Sequence, residues 1–472
     1  MELFGTLVLA AIVFCLLFLL FRGDSRYARM PPGPTPVPLI GNLLQLNQWA
    51  FHESFMKLKE TYGPVMTVYL GPKPLVVLVG FDAVHEALVE QADAFAGRAV
   101  PPLFKQLKLD FGLGQSNGER WKQLRRFSLS TLRDFGMGRR NVEEWIQEEV
   151  KHLTEEFRKT EGAPFDPTIT LSRAVSNVIC SIVFGQRFDY QDKNFVDLLM
   201  FEFSNCLATN LYNMFPALTK LIPGPFNKML MNVNELTTFT SAMIDKHKAT
   251  LVSDSPRDYI DSFLIKMKQV TLNNPDTEFN YDNLNMTILD LFIAGTETTS
   301  TTLRYGWLIL MKYPHIQENV QKEIDTVIGR ERAPAMEDRR KMPYTDAVLH
   351  EIQRFIDLQP LNVFHKTTRD TIFRGYTIPE VRIKWATPDT FNPSHFLDEN
   401  GCFRMNPSFM PFPQRICAGE GLAKMELFLF FTTLLQNFSF CPTEDPDSIS
   451  LSPDSKLVFK TLRPYKFKAI PR

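Results

Sequence analysis

Along most of the chain, apolar residues recur at the spacing of helices that bury one face or their whole surface. Residues 141–159 place many glutamates opposite an apolar face, whereas residues 282–311 are mostly apolar and residues 421–436 strongly apolar. A helical period in the apolar positions predicts helices. The same pattern predicts further helices over residues 172–183, 314–327 and 345–355.

Strand-like patterns are confined to two short regions. Residues 63–79 are predicted to form two strands around a Gly-Pro turn, and residues 366–379 return to a strand-like pattern. Patterning then continues from about residue 42 to residue 472 without a linker at which to divide it. We predict a mainly α protein with a small β portion, folded as one domain over residues 42–472.

The first apolar run differs from the others because it carries no charge. Residues 3–21 would form a helix about 30 Å long, which matches the hydrocarbon core of a bilayer. A cleaved signal peptide, a buried core helix and a retained anchor are the three alternatives. No Lys or Arg precedes the run, and no small-x-small cleavage site clearly follows it, which disfavours a signal peptide. We predict that residues 1–21 are a membrane anchor.

The residues that follow this run predict its orientation. Arg22, Arg26 and Arg29 come after it, so the positive-inside rule places the bulk of the protein on the cytoplasmic side. Residues 22–41 are rich in proline, which fixes φ and removes hydrogen-bond donors. They are predicted to form a stiff, extended hinge, although an irregular linker would share most of this physics.

Composition excludes several classes of protein. The chain has 52 Lys and Arg against 53 Asp and Glu, which indicates neither disorder nor a polyelectrolyte partner. Six cysteines form no C-x-x-C pair, which argues against a disulfide framework or a zinc site and for a reducing compartment. The 40 phenylalanines fit either a large aromatic core or a pocket for flat apolar ligands.

The long apolar helix is interrupted by polar residues from Ala294 to Thr299. A glycine in a helix costs about 1 kcal/mol relative to alanine, and an unpaired buried glutamate costs more. The threonines can bond to the preceding turn and the glutamate can face solvent, which would be a purely structural explanation. In a functional site, Gly295 would let a flat group approach the backbone, and Glu297 with Thr298 would relay protons into an apolar cavity.

Cys417 directly precedes the apolar helix of residues 421–436. The helix dipole and the unpaired N–H groups at such a position favour a thiolate. Arg415, two residues earlier, could pair with an anionic group of a cofactor. Most single cysteines are small core residues, so the loop by itself leaves both interpretations open.

Two further pairs combine donors and charges. Trp121 and Arg125 are one helical turn apart and together suit a carboxylate or a propionate. Glu351 and Arg354 lie at positions i and i+3, which by default is a surface ion pair of little energetic worth.

In their order, and nearly in their spacing, these four groups resemble the haem-thiolate monooxygenases of the cytochrome P-450 superfamily. The likeness is closest to the vertebrate microsomal drug- and lipid-oxidising branch and covers almost the whole chain. The resemblance implies the cytochrome P-450 fold, haem b as cofactor, and oxygenation of an apolar small molecule. It also implies a single-pass anchor in the endoplasmic reticulum membrane, with the catalytic domain facing the cytoplasm.

The resemblance implies a role for each matching residue. Cys417 corresponds to the axial ligand of the haem iron. Glu297 and Thr298 correspond to the acid–alcohol pair that delivers protons to dioxygen, and Ala294 to a residue over the haem face. The expected propionate partners are Arg98, Trp121, Arg125, His365 and Arg415. Glu351 and Arg354 correspond to a buried structural pair whose third partner would be His395.

The resemblance also implies protein partners. Arg126, Arg133 and Lys424 fall on the basic face where this family docks its NADPH–cytochrome reductase, although an ordinary solvated surface would look similar. Cytochrome b5 is a further candidate electron donor. The other expected contacts are an apolar small-molecule substrate and the membrane, with no nucleic acid.

The chain departs from the family pattern at two places. The loop from Phe412 to Cys417 is two residues short and lacks the family's glycine, and two residues span about 7 Å of extended chain. After Ile378-Pro379, about fifteen residues of strand and turn are missing, which would leave ladder groups unpaired at about 1–3 kcal/mol for each one buried.

Three hypotheses about function follow. The first is an active monooxygenase that takes electrons from a flavoprotein reductase. The second is a non-catalytic or haem-deficient relative, to which the two departures point. The third is a reductase-independent isomerase, which the intact Glu297-Thr298 pair disfavours because such an enzyme has no dioxygen to protonate. Fatty acids, steroids and xenobiotics all suit an apolar pocket, and no residue pattern discriminates among them.

Overall fold

The computed structural model describes residues 29–47, 50–135, 140–192, 212–213, 225–274, 276–359, 361–378, 391–405, 417–453 and 462–472. They belong to two units, each assembled from separate stretches of chain. The first unit lies within Met1–Ala99, Asn210–Pro216 and Gln359–Thr387, and the second within Val100–Thr209, Ala217–Leu358 and Pro388–Arg472. The predicted anchor, Arg415 and most of both predicted departures from the family lie outside the described residues. Among the helices that are described, none is both long and apolar enough to span a bilayer.

The first unit contains short strands and two helices. Its elements are α1 (Phe51–Tyr62), β1 (Val65–Leu70), β2 (Lys73–Leu78), α2 (Phe81–His85), β3 (Gly97–Arg98), β4 (His365–Lys366), β5 (Thr371–Phe373) and β6 (Tyr376–Ile378). Each strand pairs antiparallel with one other, β1 with β2, β3 with β4 and β5 with β6. The strands predicted over residues 63–79 and 366–379 are therefore confirmed.

The proline-rich run is not a free spacer at its centre. The backbone N–H of Thr67 in β1 donates to the carbonyl of Pro32 at 2.8 Å, and the Thr67 hydroxyl donates to the carbonyl of Pro31 at 2.7 Å. A Cβ at Gly33 would lie 1.8 Å from the Thr67 carbonyl oxygen, so only glycine fits there. This part of the predicted hinge is packed against β1 and belongs to the first unit.

The second unit is mainly helical. Its helices are α3 (Pro102–Gln106), α4 (Gly118–Asp134), α5 (Arg140–Arg158), α6 (Thr168–Phe184), α7 (Pro225–Thr250), α8 (Tyr259–Thr271), α9 (Tyr281–Lys312), α10 (Pro314–Val327), α11 (Pro343–Ile356) and α12 (Glu420–Asn437). Strands β7 (Phe438–Pro442) and β8 (Phe467–Pro471) pair antiparallel. All six predicted helices are confirmed, and the mainly α prediction with them. Helices α1, α2, α3, α7 and α8 were not predicted, and α4 was implied only by the one-turn spacing of Trp121 and Arg125.

Helix α9 is the centre of the second unit. Its residues 283–289 and 299–311 are all buried, because α6, α7, α10, α11 and α12 pack around it. Near its end lies a cluster of aromatic rings centred on Phe157, which is fully buried on α5. The Phe157 ring has its centroid 4.9–6.4 Å from those of Phe165, Trp307, Phe438, Phe440 and Phe467. This cluster ties α5 and α9 to the β7–β8 pair.

We predict that Phe157→Ala lowers the free energy of unfolding by about 3–5 kcal/mol, because the five surrounding rings cannot close the cavity. Urea unfolding followed by tryptophan fluorescence would measure the loss. Met231 on α7 is 61% exposed, so Met231→Ala should change stability by less than about 0.5 kcal/mol. Similar losses in the two variants would contradict a special packing role for Phe157.

Candidate active site

One turn in the middle of α9 is accessible although the helix is buried on both sides of it. Ala294 and Glu297 are exposed, and Gly295 and Thr298 are half-buried, between the two buried stretches of the helix. Burial nevertheless raises the pKa of Glu297, so its carboxyl group has protein around it as well as accessible surface. A turn that lines a recess of the second unit, and not its outer surface, would be both accessible to solvent and surrounded by protein.

The side chains of the predicted acid–alcohol pair each bond within α9. The Thr298 hydroxyl donates to the carbonyl of Ala294 at 2.6 Å, and the Thr301 hydroxyl donates to Glu297 Oε1 at 3.0 Å. Burial raises the pKa of Glu297, while this hydrogen bond and the charge of Arg304 oppose the rise. A carboxyl group with a raised pKa is better suited to hold and release a proton near neutral pH.

The structure gives a different reason from the predicted one for a glycine at position 295. A Cβ at this position would lie 2.5 Å from Cδ1 of Ile179 on α6. The glycine therefore permits α6 and α9 to approach each other closely. The prediction that it makes room for a flat ligand is wrong for this direction of approach.

Cys417 lies just before the first turn of α12. The backbone N–H groups of Gly419 and Glu420 donate to its sulfur and lower the pKa of the thiol, as the sequence predicted, but burial raises that pKa by more. The predicted lowering of the pKa by the N–H groups at the start of α12 is present, but burial outweighs it. A thiolate here needs a further positive charge, such as a metal ion, which deprotonates a coordinating thiol.

Arg125 on α4 is close enough to this thiol for the two charges to interact. Burial lowers the pKa of Arg125 and the charge of Cys417 partly restores it, while the guanidinium carbon lies 5.7 Å from the ring centroid of Trp121. The structure thus brings Trp121, Arg125 and Cys417 into one neighbourhood, with α12 packed against α9.

The first unit holds another pair of predicted site residues. Arg98 on β3 and His365 on β4 are register partners, both buried, with Arg98 Nη1 2.8 Å from His365 Nε2. His365 Nδ1 lies 2.8 Å from the carbonyl of Phe95, so Nδ1 is the donor and Nε2 accepts from the guanidinium. The prediction that Arg98 and His365 share a site is consistent with this contact.

The Glu351 pair is a buried network and not a surface ion pair. Glu351 is fully buried and accepts from Arg354 Nε and Nη2 at 2.7 and 2.8 Å. His395 Nδ1 lies 3.2 Å from both carboxylate oxygens, and the backbone N–H of Asn392 donates to the same group. The prediction of a structural pair with His395 as third partner is confirmed.

The residues of the predicted basic face differ in how much charge they present. Arg126 and Arg133 on α4 are exposed. Lys424 on α12 is half-buried, and its ammonium group donates to Glu420 Oε1 at 2.7 Å. A partner would therefore meet two accessible guanidinium groups and one partly neutralised ammonium group.

Asp290 is a site residue that sequence reasoning missed. It lies on α9 one turn before Ala294, and its Oδ2 accepts from the backbone N–H groups of Leu113 and Gly114 at 2.7 and 2.9 Å. Burial nevertheless raises the pKa of Asp290 to about 7. A Cβ at Gly112 would lie 2.5 Å from Asp290 Oδ2, so the Gly112-x-Gly114 spacing was the available signal.

Comparisons with known proteins all match this chain to the same family. The Cytochrome P450 family model matches residues 31–381 and 383–469. The chain is 49% identical over 494 aligned positions to Cytochrome P450 2B4 of Oryctolagus cuniculus, covering 99% of this chain and 100% of that protein. It is 48% identical to Cytochrome P450 2H1 of Gallus gallus, covering 99% of both. With Cytochrome P450 2G1 of Oryctolagus cuniculus the identity is 50%, over 96% of both chains.

We predict that Asp290→Asn changes how stability depends on pH. The folded protein keeps the proton of Asp290 up to about pH 7, whereas the unfolded chain releases it near its ordinary value of 3.8. The group thus contributes stability that is fully present below pH 3.8 and is lost as the pH rises through about 7. The Asn variant, whose amide oxygen can accept the same two N–H groups, should gain stability relative to the wild type across this window.

Urea midpoints measured in steps of pH would test this. The exposed Asp254→Asn is the matched control and should show a difference from the wild type that does not change with pH. A pH-independent difference for Asp290→Asn as well would show that this carboxyl group ionises normally.

Proposed function

Because this chain belongs to the cytochrome P450 family, we propose that it is a monooxygenase acting on an apolar small molecule. One atom of dioxygen enters a C–H bond of the substrate, and two electrons and two protons convert the other atom to water. The observation that carries the proposal is the position of Cys417 beside Arg125 at the start of α12, with α12 packed on the helix of Glu297 and Thr298.

Haem b with a cysteine thiolate as axial ligand is the prosthetic group of this family. The donor set of the described residues fits it, since a thiol that receives two backbone N–H groups has a desolvated guanidinium close enough for the two charges to interact. When bound, the haem supplies the activation of dioxygen. We assign Cys417 as the iron ligand and Ala294 as a residue over the haem face. The proposed propionate partners are Arg98, Trp121, Arg125, His365 and Arg415.

Glu297 and Thr298 supply the protons in this proposal. The Thr298 hydroxyl, which here donates to the Ala294 carbonyl, can rotate to donate to a reacting oxygen in the recess. Glu297 then replaces the proton from a carboxyl group whose raised pKa keeps it protonated to a higher pH than an ordinary glutamate.

The remaining parts of the proposal concern substrate, partners and location. The substrate is of the fatty acid, steroid or xenobiotic class, which the membership of this family supports. Electrons come from NADPH through a reductase docked on Arg126, Arg133 and Lys424, with cytochrome b5 as a second donor. Residues 1–21 anchor the chain in the endoplasmic reticulum membrane, and residues 22–41 join the anchor to the folded part.

A haem-deficient relative is the second candidate function. The alignment to the Oryctolagus cuniculus 2B4 protein spans 494 positions, while this chain has 472 residues, so at least 22 of those positions have no residue from this chain. The family match also divides at residue 382, inside the second predicted departure from the family pattern. These two observations favour a haem-deficient protein over one that has the same function as the relatives.

We predict that the purified protein gives the red-shifted Soret band of a thiolate-ligated haem in a reduced, carbon-monoxide difference spectrum. Cys417→Ser should abolish this band because a hydroxyl cannot replace the thiolate. Cys402→Ser removes another exposed sulfur and should leave the spectrum unchanged. Absence of haem absorbance from the wild type would favour the haem-deficient candidate.

We also predict that Thr298→Ala diverts electrons from product to hydrogen peroxide, with haem content unchanged. Loss of a positioned proton donor slows a step of this kind by about 10²-fold or more. Peroxide and product would be measured per NADPH consumed. Thr287 on the same helix makes the same bond to its preceding turn, at 2.7 Å to Asn283, so Thr287→Ala is the control. Unaltered coupling in Thr298→Ala would remove Thr298 from the proton path.

A further inference from the structure

Three polar residues of α9 share one face of the helix and lead away from the candidate active site. Glu297, Thr301 and Arg304 lie at positions i, i+4 and i+7. The Thr301 hydroxyl donates to Glu297 Oε1 at 3.0 Å, and the charge of Arg304 lowers the pKa of Glu297. The three groups therefore form a polar strip that runs from the accessible turn into the buried part of α9.

The hydroxyl of Thr301, like that of Thr299, donates to a carboxyl side chain, unlike those of three other threonines of α9. Thr287, Thr298 and Thr302 each donate to the carbonyl four residues earlier, at 2.7, 2.6 and 2.8 Å. This back-bonding is the usual way for a threonine to satisfy its hydroxyl inside a helix. Thr301 instead donates to a carboxylate side chain, and its oxygen keeps lone pairs that can accept a proton from another donor.

One N–H group of Arg304 is a buried hydrogen-bond donor without an acceptor among the described residues. The residue is only 5% exposed, and its Nε has no hydrogen-bond partner among the described residues. A buried N–H without an acceptor costs about 1–3 kcal/mol, and buried groups of this kind are commonly satisfied by ordered water. A guanidinium also cannot release its own proton in a protein, so it can hold a water molecule but cannot act as a relay itself.

The outer end of the strip approaches solvent. The Tyr465 hydroxyl donates to the Arg304 carbonyl at 2.7 Å, and the Arg304 guanidinium carbon lies 6.0 Å from the Tyr465 ring centroid. Tyr465 is half-buried and stands between the exposed Pro464 and Lys466. Tyr465 thus holds the backbone of Arg304 and is the half-buried residue that lies between this end of the strip and the exposed residues around it.

We propose that Arg304 holds a buried water molecule beside Thr301, and that this water and the Thr301 hydroxyl carry protons from solvent to Glu297. The water gives a proton to Thr301 Oγ1 as Thr301 passes its own proton to Glu297 Oε1. The water then recovers a proton from solvent at the Tyr465 end, so no charge accumulates along the strip. Arg304 and Tyr465 are positioning residues in this route. The inference rests on the proposed function, in which Glu297 is the proton donor.

A crystal structure of the haem-loaded enzyme tests the water site without turnover. We expect an ordered water within hydrogen-bond distance of both Arg304 Nε and Thr301 Oγ1. Thr301→Val has the same shape without the hydroxyl and should lose this water. Density without a water at this position would overturn the inference.

Kinetics of the same variants test the route. Thr301→Val should slow product formation at least about tenfold and increase the solvent isotope effect, with KM and the carbon-monoxide spectrum unchanged. Thr301→Ser should restore the rate because it keeps the hydroxyl, and Thr287→Val is the control. Arg304→Met should slow product formation as Thr301→Val does. If Arg304→Met does not fold, the comparison of Thr301→Val with Thr301→Ser tests the route. Equal rates and isotope effects for Thr301→Val and Thr287→Val would overturn the route.

The two proposals fail in different ways. A wild-type enzyme that binds haem but forms no product would overturn the proposed function, while the crystallographic water would still decide whether the site exists. Normal coupling in Thr298→Ala together with a slow Thr301→Val would support the route and remove Thr298 from it.

Discussion

The burial of α9 is the constraint on which the second unit depends. The helix has 32 residues, roughly 48 Å of length, and other helices bury its residues 283–289 and 299–311. A helix buried in this way must satisfy each polar side chain locally or with a neighbouring helix. Thr299 does so across the interface with α12, where its hydroxyl lies 3.3 Å from Glu426 Oε2. The accessible turn of Ala294 and Glu297 is therefore an exception that packing alone does not explain.

The same burial sets the electrostatics of the site. It raises the pKa of Asp290, Glu297 and Cys417, and in each case hydrogen bonds or a guanidinium oppose the rise. Desolvation thus favours the neutral forms, while a small number of directed N–H and O–H groups make ionisation accessible. A carboxyl group balanced between these effects can both take up and release a proton, which an ordinary exposed glutamate at neutral pH does poorly.

Elements with one continuous pattern could be predicted from the sequence, and their ends fell within a few residues of the structure. The structure places Cys417, just before α12, near Arg125 on α4, as the family resemblance indicated. The role of Gly295 was misinterpreted because the side chain closest to it, Ile179, belongs to a different helix. Asp290 was missed because its partners are backbone N–H groups 177 and 176 residues away, which no local pattern announces.

Polar contacts hold α12 at two points along its length, one of them on α9. Glu426 of α12 meets Thr299, one residue after Thr298, and Gln436 near the other end of α12 donates to the carbonyls of Gly329 and Arg332 at 2.7 and 2.8 Å. A rigid helix fixed at two points along its length also fixes what precedes it, so the position of Cys417 relative to Thr298 follows from these contacts. Sites built on packed helices hold their geometry better than sites on loops. The thiol and the acid–alcohol pair are therefore positioned by the same core that makes the protein fold.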